Sequence, residues 1–170
     1  MEKKKPILDA TCGSRTIWFN KNCPEAVFLD NRIEHDSKIW KSTKGNSVRT
    51  LSVDPDVLAD FADMPFPDNS FKLVVFDPPH MIHLGETSWM KKKYGRLPED
   101  WKPLIHDGFW ECMRVLDEYG TLVFKWSEIQ IPTREVIKAI GKEPLFGHRS
   151  GKKSNTHWMC FMKLPEEEAE

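Results

Sequence analysis

Residues 71–126 limit the possible folds more than any other part of the chain. "FKLVVFD" (71–77) is an apolar run of strand length, rich in Val and Phe. "EDWKPLIHDGFWECMRVLDEYG" (99–120) repeats Leu104, Ile105, Phe109, Cys112, Met113 and Leu116 at helical spacing, with Gly120 as the expected stop. "TLVFKW" (121–126) is a strand again. A strand, a helix and a strand in that order make a crossover, and a crossover lays its two strands parallel in one sheet.

The rest of the chain extends that pattern. "PILDA" (6–10), "EAVFLD" (25–30), "PDVLAD" (55–60), "PLFGHR" (144–149) and "THWMCFMKL" (156–164) read as strands. "GSRTIWFN" (13–20) predicts a short helix with Ser14 near its start, and "PTREVIKAIG" (132–141) a helix with Pro132 near N1 and Gly141 as cap. The last two strands are joined by too short a loop for a crossover, so they pair antiparallel. The expected fold is α/β: a doubly wound, mainly parallel sheet of seven strands with one antiparallel strand. The domain runs over 1–164, with an acidic tail at 165–170. The connection "NRIEHDSKIWKSTKGNSVRTLSV" (31–53) is too long for an ordinary loop and reads as a specificity insertion or a short hairpin.

A length of 170 residues suits one domain. No stretch has the length of a membrane span, and "MEKKKPILDA" has no apolar run behind its basic residues, so neither membrane nor signal peptide is expected. Cys12, Cys23, Cys112 and Cys160 are scattered without a C-x-x-C pair, which points to a reduced, cytoplasmic setting and to no metal site. Net charge is −1, but the tail "PEEEAE" holds four of the Glu. Without them 25 basic residues face 22 acidic ones. The basic residues cluster in "KKKYGR" (91–96) and "HRSGKK" (148–153), patches that suit phosphate as well as plain solvation.

In doubly wound sheets ligands bind beyond the carboxyl ends of the strands. Asp9, Asp30, Asp60 and Asp77 stand at four successive strand ends. Gly13, in "DATCGSRT" (9–16), lets the first turn approach a ligand closely. Asp30 lies 21 residues beyond Asp9, the distance expected of a ribose-hydroxyl partner. "VVFDPPH" (74–80) ends a core strand with an acid and then fixes two φ angles with Pro78 and Pro79, a corner more rigid than a turn requires.

These motifs resemble the class I S-adenosylmethionine-dependent methyltransferases, which share a Rossmann-like methyltransferase fold. Among those the chain is most similar to the exocyclic-amino (N6-adenine or N4-cytosine) methyltransferases of nucleic acids. Their first-strand motif D-P-F-C-G-S-G-T compares with "DATCGSRT", sharing Asp9, Cys12, Gly13, Ser14 and Thr16. Their [DNS]-P-P-[YFW] compares with "DPPH", and "DMPFPDNSFKLVV" resembles the passage into their fourth strand. The resemblance implies S-adenosyl-L-methionine as cofactor, held by Asp9, Ala10, Thr11, Cys12, Gly13, Ser14, Arg15, Asp30, Asn31, Asp60 and Phe61. Within that set Asp30 would take the ribose hydroxyls and Asp60 the adenine amino group. It implies Asp77, Pro78, Pro79 and His80 as the catalytic corner. There the carboxylate and the first proline's carbonyl accept hydrogen bonds from the target amine and aim its lone pair. Ala10, Thr11, Arg15 and His80 depart from the family pattern. Arg15 stands where a glycine is expected, and either narrows the loop or meets the cofactor carboxylate.

The segment "MIHLGETSWMKKKYGRLPEDW" (81–101) has no clear periodicity and reads as a mobile lid. There Trp89 or Tyr94 would stack a base while Lys91, Lys92, Lys93 and Arg96 neutralise phosphate, and Lys125 after the fifth strand would line the pocket. The expected activity is methyl transfer to an exocyclic base nitrogen, adenine N6 of DNA first, in a compact enzyme of phage type. RNA, a small molecule or a protein is the alternative substrate, and an inactive cofactor-binding protein is the alternative of another class.

Overall fold

The computed structural model describes residues 5–41, 47–149 and 155–165. Its main sheet has seven strands: β1 (Ile7–Asp9), β2 (Ala26–Asp30), β5 (Val57–Leu58), β6 (Phe71–Phe76), β7 (Leu116–Ser127), β8 (Phe146–Arg149) and β9 (Thr156–Met162). Their spatial order is β5-β2-β1-β6-β7-β9-β8. The pairs β5·β2, β2·β1, β1·β6 and β6·β7 are parallel, and β9 runs antiparallel to both of its neighbours. This is the expected sheet, and its order reverses between β1 and β6. The third strand is shorter than 55–60.

Two helices pack on one face. In α2 (Trp101–Val115), Ile105, Phe109, Cys112 and Met113 are buried against Phe76, Phe124 and Phe161 of the sheet. α3 (Thr133–Ile140) joins the same core through Val136 and Ile140, with Gly141 left-handed at its end. Alternation along β7 follows from this. Leu122, Phe124 and Trp126 face the helices and are buried, while Thr121, Val123 and Lys125 between them are half-buried.

Three expectations are corrected. The segment 13–20 is a set of turns, not a helix: Gly13 and Arg15 both take left-handed φ, +47° and +53°, which a helix cannot pass. The helix expected to run to Gly120 ends at Val115, and β7 starts at once. Lys163 Nζ donates to the carbonyls of Arg114 and Leu116, satisfying groups the helix end leaves open. Gly120 instead lies where β7 bulges against β6, and a Cβ there would meet the Asp117 carbonyl at 2.8 Å. Finally, the lid segment contains a short helix, α1 (Trp89–Tyr94), started by the Ser88 side chain.

The long connection 31–53 is a hairpin of β3 (Glu34–Lys41) and β4 (Val48–Val53), outside the main sheet. Of the basic patch 148–153, residues 150–153 lie outside the described residues, as does the tail beyond 165. Among the described residues no helix is long and apolar enough to cross a membrane.

Candidate functional site

One cavity lies over the carboxyl ends of β1, β2 and β6, at the point where the strand order reverses. Its floor is the loop after β1, where the chain leaves the ladder stepwise: Ala10 N–H donates to the Val75 carbonyl and Cys12 N–H to the Leu29 carbonyl. Of the residues expected to hold a cofactor, Asp9, Ala10, Thr11, Cys12, Gly13, Ser14, Asp30, Asn31 and Phe61 line this cavity. A Cβ on Gly13 would meet nothing within 4 Å. The glycine therefore serves the left-handed turn and leaves open space above it.

Two carboxylates of this floor are buried. Asp9 is 1% exposed, its Oδ2 accepting from Trp18 Nε1 at 2.6 Å and its Oδ1 from Thr11 N–H at 3.2 Å. Burial pushes its carboxyl up to about 7; the Trp18 and Thr11 bonds oppose that shift, and the neighbouring Asp77 and Asp30 charges add to it. Asp30 is 8% exposed and accepts from Gly13 N–H at 2.9 Å and Arg32 Nε at 3.3 Å. Two acceptor positions on its oxygens stay available, since a carboxylate offers about four. Burial also pushes the Cys12 thiol up to about 12, so it stays a neutral wall group.

Asp77 and Pro79 reach the same cavity. Asp77 N–H donates to Thr11 Oγ1 at 2.8 Å, and Asp77 Oδ2 accepts from Lys125 Nζ at 2.5 Å. The corner is thus pinned from β1 and β7 as well as by its prolines. Thr11, a departure from the resembled motif, supplies the oxygen that the Asp77 amide needs. Pro78 is buried, and His80 lies between the rings of Tyr94 and Trp126, 6.4 and 6.2 Å away. Burial lowers the affinity of the imidazole for a proton. Asp77 opposes this, Lys125 adds to it, and the Pro78 carbonyl opposes it. Burial thus favours the uncharged form of the His80 ring.

Eight expected residues do not line the cavity: Arg15, Asp60, Pro78, His80, Trp89, Lys91, Lys92 and Lys125. Arg15 turns its guanidinium away from the cavity, to the carbonyls of Lys21 and Asp54 at 2.8 and 2.6 Å and over the Phe28 ring at 3.8 Å. Asp60 is exposed and caps the nearby Ala62 N–H. Trp89 is half-buried and packs on Leu51 and Val53 of the hairpin, outside the cavity. From the same segment Lys93, Tyr94 and Arg96 line the cavity, while Lys91 pairs with Glu86 and Lys92 is exposed. The sequence reading missed Trp18, Ile17 and Arg32. No local signal marks Trp18, because its role depends on a turn that folds it back over Asp9. Arg32 lies in the 31–53 connection, which the sequence leaves as a specificity insertion or a short hairpin. Thr16 was visible as a shared motif residue, and it too lines the cavity.

No protein-family model matches the chain, and no curated protein is similar to it in sequence. Solved structures are similar in fold. A Pyrococcus horikoshii OT3 protein matches at TM-score 0.56 and 14% identity, over 95% of this chain and 83% of its own. A Leishmania major SAM-dependent methyltransferase matches at 0.51 and 11%, over 91% of this chain, which spans only 63% of that protein. A geranyl diphosphate methyltransferase in complex with GPP and sinefungin matches at 0.51 and 9%, over 96% of this chain and 73% of its own. The chain therefore has the Rossmann-like fold of class I methyltransferases.

Proposed function

We propose that the protein is an S-adenosylmethionine-dependent methyltransferase acting on an exocyclic base nitrogen of nucleic acid, adenine N6 in DNA first. The observation that carries this reading is the convergence of Asp9, Asp30, Asp77 and the Gly13 turn, separate in sequence, on one cavity at the strand-order reversal. The fold neighbours support it: one is described as SAM-dependent and another holds sinefungin, an analogue of that cofactor.

The residues present fit the group. Asp30 has acceptor sites for two hydroxyls, the open space over Gly13 admits a chain end, and buried carboxyls beside the Asp77 corner suit a cationic centre. The cofactor supplies an electrophilic methyl on a sulfonium. The protein supplies position and charge. Lys125 holds one Asp77 oxygen and leaves the other to accept from the amine hydrogen. As that nitrogen gives up its lone pair to the methyl carbon it gains positive charge and its hydrogens grow more acidic, so the bond strengthens toward the transition state. Tyr94, which lines the cavity, would stack the base, with the His80 ring 6.4 Å away.

The test is single-turnover methyl transfer to adenine-containing oligonucleotides. Asp77→Ala should lower the rate on the order of 10²-fold, the scale of one preorganised contact, and leave cofactor affinity unchanged. A folded Asp77→Ala protein that transfers methyl at the wild-type rate would remove Asp77 from the mechanism.

A further inference from the structure

The hairpin presents a question of energetics. A lone two-stranded ribbon is marginal in water. Among its described residues only Leu51 and Val53 are buried, and they pack on Trp89 of α1. The hairpin thus adds almost nothing to the main core. What it adds is charge. Residues 31–41, 48–53 and 86–96 carry eight Lys and Arg against three carboxylates, Glu34, Asp36 and Glu86. The rest of the chain is left with 17 basic and 23 acidic residues. The basic charge is concentrated on the hairpin and α1, on one side of the cavity.

The two elements are one piece. The Arg49 guanidinium lies 5.2 Å from the Trp40 ring and 5.8 Å from the Trp89 ring, bridging hairpin to helix. At the hairpin root, Arg32 donates to the carbonyls of Lys92 and Lys93 at 2.7 Å each, closing the end of α1. The same guanidinium donates to Asp30. A fork bound to two carbonyls and a carboxylate has little freedom, so the hairpin and α1 are held against the wall where the ribose would lie. Lys38 and Lys41 are exposed on β3.

We propose that the β3–β4 hairpin and α1 together form a clamp for a nucleic-acid phosphate backbone, with Lys38 and Lys41 extending the basic track beyond α1. This rests on the nucleic-acid reading above. It assigns substrate recognition to an insertion between β2 and β5 rather than to a separate domain.

Labelled adenine-containing duplex and single-stranded oligonucleotides, titrated over a series of salt concentrations, test it. The double substitution Lys38→Gln/Lys41→Gln should weaken binding about tenfold at low salt. It should also make the salt slope shallower by about one to two, because each lost phosphate contact removes counterion release. Sinefungin affinity by calorimetry should stay as in the wild type, which shows that the variant is folded and the cavity intact. Lys92→Gln is the comparison on α1. If Lys92→Gln lowers the slope and the hairpin variant does not, the hairpin is a solvated ribbon and the clamp is overturned, while the nucleic-acid reading stands. If the wild-type protein itself shows no salt-dependent binding and no methyl transfer to either oligonucleotide, that reading falls and takes the clamp with it.

Discussion

Arg15 shows how a single residue settles a competition between strain and contacts. It holds φ +53° in the position that the resembled motif gives to glycine. The left-handed conformation costs a non-glycine residue about 1–2 kcal/mol. Against that stand two short charge-assisted hydrogen bonds and the contact with Phe28, on a side chain 16% exposed. Hydrogen bonds to charged groups contribute about 1.5–3 kcal/mol each before any discount for solvent. The contacts win. Arg15→Gly, although it restores the glycine of the resembled motif, should destabilise the protein by about 1–3 kcal/mol in urea unfolding. An unchanged or raised midpoint would mean that the backbone strain dominates.

At the scale of elements, α2 and α1 each shape the cavity from behind. Gly108 brings α2 so close to the sheet that an added Cβ would lie 2.5 Å from the Phe61 ring and 3.0 Å from Phe76. Helix propensity favours alanine there by about 1 kcal/mol, but rings trapped between helix and sheet cannot retreat, and overpacking costs about 1–3 kcal/mol. Gly108→Ala should therefore lower the unfolding midpoint. Phe61 lines the cavity, so sinefungin affinity should fall as well; a variant with normal affinity and normal stability would show that Phe61 can move aside freely. Arg32 acts on the other wall. Arg32→Ala removes both bonds that close α1, so amide exchange over residues 93–96 should rise several-fold and sinefungin should bind less tightly. Unchanged exchange would leave α1 held by Trp89 alone.

For the whole molecule, the buried Asp9 links the site to stability. Its folded pKa, about 7, lies above its unfolded value of 3.8, so its contribution is fully present below about pH 4 and is lost as pH rises through 7. Without cofactor, stability should fall over that window by up to about 1.4 kcal/mol per pH unit from this group. Asp9→Asn should flatten that part of the profile in thermal unfolding followed from pH 5 to 8. A cation bound beside Asp9 favours the ionised form, so on the cofactor reading the affinity should rise with pH over the same range. A wild-type profile as flat as that of Asp9→Asn would mean that Asp9 is already ionised in the free protein.

Sequence pattern determined the sheet because parallel strands bury both faces of their own residues. "FKLVVFD" and "TLVFKW" announce that locally, and the acids at strand ends stand out against it. It also determined the rigid Asp77-Pro78-Pro79 corner, since proline fixes φ whatever surrounds it. Tertiary structure alone decided the rest. The 13–20 segment offers a helix start at Ser14, but its left-handed Gly13 and Arg15 are held by contacts with Asp30, Lys21 and Asp54 that no local pattern records. The partner of Asp77 is Lys125, 48 residues away, and only the β6·β7 ladder brings them together. Arg32 reaches α1 across 60 residues because the β3–β4 hairpin packs on that helix. Local residues set φ, ψ and burial preference, but which charges meet depends on strand order, and strand order is a property of the packed sheet.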